Sequence, residues 1–119
     1  MQILVVDDEG IVLKSCKRVL ESEGFEVILA NSAYEALVAI DHDPPSLFLI
    51  DVKMPVHDGM YLIKELKQRG NDVPIIVMSG YSTDETIKEA ELMGASRFLA
   101  KPFTPYELLE TVREVIERR

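Results

Sequence analysis

Three acidic residues, Asp7, Asp8 and Glu9, follow one another near the start of the chain. A further carboxylate, Asp51, closes the run LFLID; a hydroxyl, Ser79, closes IIVMS; a lysine, Lys101, follows RFLA. Brought together, Asp7, Asp8 and Asp51 would repel one another and lose hydration. They coexist only if a cation, a proton or a lysine compensates. Mg²⁺ is the natural cation, because it takes oxygen ligands, keeps several waters and is usually held by one or two carboxylates plus a phosphate. No histidine or cysteine joins the cluster, which argues against zinc. Lys101 would reach an anionic group bound beside the metal, and Ser79 would offer that group a hydroxyl donor. Singly, each residue has an ordinary reading: an Asp at a strand end caps a helix or forms a turn, Ser79 sits in a turn, and Lys101 is solvated. The chemical reading rests on their coincidence at one edge.

That edge exists only if particular elements create it. Short apolar runs at Ile3–Val6, Val27–Ala30, Leu47–Ile50, Ile75–Met78 and Phe98–Ala100 are mostly continuous rather than alternating. This suits strands buried on both faces of a parallel sheet. A segment with helical spacing follows each run. Start signals are Ser32 with Glu35, Ser82 with Glu85, Asp58 before Gly59, and Thr104-Pro105 with Glu107. Stops are Gly24, Pro44–Pro45, Gly70 and Gly94. In the last helix Leu108, Leu109, Val112, Val115 and Ile116 form one apolar stripe. Five β-α units predict an open, doubly wound α/β sheet with helices on both faces, and a closed eight-fold barrel would need about twice the length. Ligands of such sheets sit beyond the carboxyl ends of the strands, where Asp7, Asp8, Asp51, Ser79 and Lys101 all fall.

Composition narrows the classes. The 119 residues fit one domain, with no room for a second. With 13 basic and 21 acidic side chains the net charge is −8, which disfavours nucleic-acid and anionic-membrane binding. The N-terminus is not a signal peptide, and no apolar run approaches the ~20 residues of a membrane span. The one cysteine, Cys16, cannot form an internal disulfide, which fits a cytoplasmic setting. It lies on an apolar helical stripe and reads as a buried, inert thiol. His57 reads as a solvated loop histidine, and Tyr34, Tyr61 and Tyr106 as partly buried helix residues.

In ILVVDDE, LIDVKMP, VMSG and FLAKPF, taken in order and over essentially the whole chain, the sequence resembles the receiver domains of two-component response regulators. The resemblance implies a flavodoxin-like (βα)₅ fold with strand order 2-1-3-4-5. It implies that Asp51 is the phosphoacceptor, attacking a phosphohistidine on a sensor histidine kinase. Asp7, Asp8, Asp51 and the backbone carbonyl of Lys53 would hold Mg²⁺, with Mn²⁺ as a substitute. Ser79 and Lys101 would grip the phosphoryl oxygens, and the Lys101–Pro102 bond would be cis. Ser79 and Phe98 would form the switch that alters the face of helix four, strand five and helix five for a downstream protein or phosphotransfer partner. The chain would be a monomer or a phosphorylation-dependent dimer, a receiver without its output domain, and would turn over no external substrate.

The chain departs from the family's commoner pattern in having Ser79 rather than Thr, and Phe98 rather than Tyr. Lys53 and Tyr81 occupy positions that tune phosphoryl lifetime in the family, and slow self-hydrolysis is expected. On the first helix Ile11, Lys14, Ser15 and Arg18 should face outward near Asp8, as a docking face for the kinase. Three other functions stand beside this one. An aspartyl-phosphate phosphohydrolase usually has a second acid two residues after its nucleophile, where this chain has Lys53, and it needs a capping insertion. A flavin or nucleotide carrier needs a phosphate loop where this chain has DDEG. A degenerate receiver used only for contact would not need the full acid, hydroxyl and lysine set.

Overall fold

The computed structural model describes residues 1–54 and 56–117. Five β-α units run in order: β1 (Gln2–Val6), α1 (Gly10–Ser22), β2 (Glu26–Ala30), α2 (Ala33–His42), β3 (Leu47–Asp51), α3 (Gly59–Gln68), β4 (Ile75–Ser79), α4 (Asp84–Leu92), β5 (Arg97–Ala100) and α5 (Pro105–Glu117). The strands form one parallel sheet of order β2-β1-β3-β4-β5. The continuous apolar runs are the sheet's central strands: Leu47–Asp51 and Ile75–Ser79 are buried throughout. No helix among the described residues is long and apolar enough to cross a membrane.

Strand alternation sorts the side chains into two cores. Ile3, Val5, Leu47, Leu49, Ile76, Met78 and Leu99 pack on one face, under α1 and α5. Leu4, Val6, Phe48, Ile50, Ile75 and Val77 pack on the other, under α2, α3 and α4. Helix α1 contributes Leu13, Cys16 and Leu20 to its core, and α5 contributes Leu108, Val112 and Val115. Val12 and Val19 are half-buried against the same core.

The caps follow the sequence with two corrections. Thr104 and Glu107 form a reciprocal box: the Glu107 amide donates to Oγ1 of Thr104, and the Thr104 amide to Oε1 of Glu107. Asp58 caps α3 through the Tyr61 amide, and Ser32 caps α2 through the Glu35 amide. Glu35 reaches back to the amide of Asn31 rather than that of Ser32. Helix α4 is capped by Thr83, not Ser82. With that start Asp84 and Glu85 both lie in the first turn, where the helix dipole favours negative charge. Gly24, Gly70 and Gly94 adopt positive φ directly after α1, α3 and α4, as left-handed helix stops. Tyr34 and Tyr106 are exposed, not partly buried, because each lies on the outer side of its helix in the first turn.

Candidate functional site

Register alone brings the chemistry together. Val6 pairs with Ile50, so the next residues, Asp7 and Asp51, stand at the same level. Asp51 pairs with Met78 and Ser79 with Ala100, which puts Ser79 one step and Lys101 two steps further along the same edge. Alternation then assigns faces. Asp7, Asp51 and Lys101 continue the parity of the α1/α5 face, while Ser79 continues that of Val77 and Phe98, which pair with each other.

Asp7, Asp51 and Ser79 are the buried polar residues of the core, whereas Asp8 is exposed. Lys101 reaches across the sheet end. Its Nζ donates to Oδ2 of Asp7 at 2.7 Å, lies 3.3 Å from Oδ1 of Asp51, and 3.7 Å from Oε1 of Glu9. The Glu9 amide donates to the other oxygen of Asp7 at 2.9 Å, which fixes that carboxylate. Burial pushes the Asp51 carboxyl up from 3.8 to about 6, with the negative charge of Asp7 adding to the rise. Lys101 and a hydrogen bond from the Lys53 amide oppose it. Burial penalises the Lys101 ammonium. The hydrogen bond to Asp7 and the charge of Asp51 outweigh that penalty and hold its pKa above the ordinary 10.5. Cys16 lies on the same side of the sheet. Burial, then the charge of Asp7, pushes its thiol up to about 11, so it is an inert core group.

The donor set fits a hard divalent cation. Asp7, Asp8 and Asp51 each offer a carboxylate oxygen, all within 4.8 Å of one another. All three donors are oxygen, and the exposed Asp8 leaves one side open for retained waters.

The remaining predicted residues surround this centre. Ser79 Oγ accepts from the Tyr81 amide at 2.9 Å, and the Lys101 amide donates to the Ser79 carbonyl at 2.8 Å. Phe98 is half-buried against the α2–α4 core. The Lys101–Pro102 bond is cis. Lys53 and Tyr81 are both exposed and touch each other: Nζ is 3.1 Å from the phenol oxygen and 4.3 Å from the ring centre. Ile11, Lys14, Ser15 and Arg18 are exposed on α1 as the helical spacing predicts. Beside them Ile11, Ser15, Cys16, Pro102 and Phe103 line a cavity of about 330 Å³. His57 is exposed in the β3–α3 loop but not free in solvent, since it stacks on Tyr61 at 4.0 Å. Sequence reading missed two contributors. Glu9 reaches Lys101 rather than capping α1, and Gly59 lies against the Asp51 backbone. The signal for Gly59 was its place directly after the Asp58 cap.

Known proteins of similar sequence and fold identify the family of the chain. Residues 3–113 match the family model described as "Response regulator receiver domain". The chain is 39 % identical over 119 residues to the transcriptional regulatory protein PrrA of Mycobacterium tuberculosis, covering 99 % of this chain and 51 % of PrrA. It is 38 % identical over 119 residues to the response regulator MprA of Mycobacterium leprae, covering 99 % of this chain and 52 % of MprA. The chain thus spans about half the length of the curated relatives it matches. Among solved structures, the receiver domain of NtrX from Brucella abortus superposes with a TM-score of 0.92 at 33 % identity, covering 98 % of this chain and 99 % of that one. The chemotaxis protein CheY4 of Vibrio cholerae superposes with a TM-score of 0.91 at 29 % identity, covering 96 % and 97 %.

Proposed function

The chain belongs to the response regulator receiver family, and from that membership we propose that Asp51 accepts a phosphoryl group from a sensor histidine kinase in a Mg²⁺-dependent step. The observation that carries the reading is Lys101, whose Nζ lies 2.7 Å from Asp7 and 3.3 Å from Asp51 at the mouth of the carboxylate cluster. A carboxyl titrating at about 6 is ionised at neutral pH and is a stronger nucleophile than an ordinary carboxylate. An Asp51 oxygen forms a bond to phosphorus while the phosphorus–nitrogen bond of the donor breaks, and its electron pair leaves with the imidazole. Lys101 moves from the carboxylates to the incoming phosphoryl oxygens and stabilises their charge. Asp7, Asp8, Asp51 and the Lys53 carbonyl would hold Mg²⁺, or Mn²⁺ in its place. When bound, the cation supplies further positive charge to the phosphoryl group. The phosphoryl group stays on the chain until water removes it, so no external substrate is turned over.

Ser79 and Phe98 carry the signal outward. The Ser79 hydroxyl, which accepts from the Tyr81 amide, turns to donate to a phosphoryl oxygen. Phe98 follows on the same face of the sheet and shifts the balance between two states of the α4–β5–α5 surface, read by a downstream protein.

Lys53 and Tyr81 act as a pair at the rim of the site. Their contact screens the acyl phosphate from water, so Lys53→Ala and Tyr81→Ala should each shorten the phosphoryl half-life by about two- to fivefold, the scale of an exposed cation–π contact. The double variant should decay no faster than either single one. Half-lives equal to the parent's would remove this role.

The α1 face with Ile11, Lys14, Ser15 and Arg18 docks the kinase. Arg18→Glu should slow transfer from the cognate kinase by about tenfold through loss of charge complementarity, and leave uptake from acetyl phosphate unchanged. Equal losses in both assays would argue against docking.

Incubation with Mg²⁺ and acetyl phosphate, read by intact mass, tests the reading against a phosphohydrolase. One phosphoryl group per chain is expected. Sustained turnover of a phosphomonoester with no adduct would favour the hydrolase.

A further inference from the structure

Gly59 is the first residue of α3 and is buried. A Cβ there would overlap the Asp51 carbonyl oxygen and lie 2.9 Å from both the Asp51 carbonyl carbon and Val52 Cα. These neighbours are backbone atoms, so no flexible side chain can give way. Its φ is not in the left-handed region, so glycine is required here by space and not by backbone conformation.

The contact is one side of a clamp. The Gly59 amide donates to the Val52 carbonyl at 2.8 Å, and the Val52 amide donates across to the Met78 carbonyl at 3.0 Å. The Asp51–Val52 peptide is therefore held between β4 and the first residue of α3. The loop closed by this clamp carries Lys53, whose amide hydrogen-bonds to the Asp51 carboxylate.

The geometry points to Gly59 as a positioning residue: lacking a side chain, it lets α3 press against the acceptor's own peptide and so sets where the Asp51 carboxylate stands relative to Asp7 and Lys101. This rests on the reading of Asp51 as the phosphoacceptor. A methyl at position 59 forces α3 and the acceptor peptide apart, and a misplacement of about 1 Å at a reacting group costs about 10²-fold in rate. Alanine is the better helix former, so helix propensity alone would make the change favourable.

Gly10 provides the matched control. It is the first residue of α1, beside the same acidic cluster, and a Cβ there meets nothing within 4 Å. The experiment compares the parent, Gly59→Ala and Gly10→Ala at saturating Mg²⁺ and acetyl phosphate, with uptake read by intact mass and folding by far-ultraviolet circular dichroism. The osmolyte TMAO is included because it favours the compact state. Gly59→Ala is expected to be folded with its maximal uptake rate lowered about 10²-fold, its Asp51–Lys53 amide resonances displaced, and Gly10→Ala to match the parent. A folded Gly59→Ala protein within threefold of the parent overturns the inference alone. A Gly59→Ala chain that stays unfolded in TMAO also overturns it, because the glycine then serves the fold and not the site. A parent that takes up no phosphoryl group removes the reading of Asp51, and the inference with it.

Discussion

Asp51→Asn should make the protein more stable, by up to about 3 kcal/mol at pH 7.5 in EDTA, while abolishing phosphoryl uptake. Asp51 titrates at about 6 in the folded chain against an ordinary 3.8. Below the lower value the carboxyl is neutral in both states and contributes nothing. As pH rises between the two values the unfolded chain ionises first, so the folded state loses stability. Above about 6 the penalty is complete and constant. Asparagine keeps the shape and carries no charge to desolvate, and Lys101 retains Asp7 at 2.7 Å. The gap between variant and parent should therefore be widest above pH 6 and close near pH 4. Mg²⁺ should narrow it too, by stabilising the parent more than the variant, and that gain should be much smaller in Asp8→Ala. Urea titrations at both pH values check this, through the midpoint at unchanged slope. A variant less stable than the parent at pH 7.5 would contradict the electrostatic account.

Lys101→Ala should have the opposite sign and a comparable size. Lys101 is the one cation among the described residues within ion-pair distance of Asp7 and Asp51, which have 0 % and 5 % side-chain exposure. Removing it leaves two buried carboxylates facing each other, and breaking a buried pair costs about 3–5 kcal/mol. The loss should be largest in EDTA at pH 7.5. It should shrink when Mg²⁺ supplies the missing charge, and again at low pH, where protonation relieves the repulsion. Uptake from acetyl phosphate should fall about 10²- to 10³-fold even in saturating Mg²⁺, as for removal of one donor from a developing charge. Urea midpoints with and without Mg²⁺, together with uptake rates by intact mass, measure both effects. A loss under 1 kcal/mol and insensitive to Mg²⁺ would show that Lys101 is not the counter-ion of this cluster.

These two residues also mark how far the sequence could be read. Continuous apolar runs, capping residues and glycine stops were enough to set out five β-α units, because each signal acts within a few neighbouring residues. Asp7, Asp51, Ser79 and Lys101 were legible for a related reason: each directly follows or ends an apolar run, and in a parallel sheet that position is one edge. Contacts across loops were not legible. Lys53 and Tyr81 were each singled out, but their meeting at 3.1 Å depends on how two loops approach. Glu9 leaves α1 without a side-chain cap and turns toward Lys101, a competition that local propensity does not contain. Thr83 rather than Ser82 starts α4 because neighbouring hydroxyl residues offer the same capping chemistry, and spacing alone does not choose between them. Gly59 looked like an ordinary residue after a cap. Its significance lies in a backbone nearly a full β-α connection earlier in the chain, which only the fold brings into contact.

Asp51 as a Mg²⁺-dependent phosphoacceptor is tested most directly by locating the phosphoryl group. After incubation with acetyl phosphate and Mg²⁺, peptide mass spectrometry should find it on Asp51 alone, and chelation of Mg²⁺ should prevent its appearance. A phosphoryl group on any other residue, or one that forms equally well in EDTA, would contradict the account.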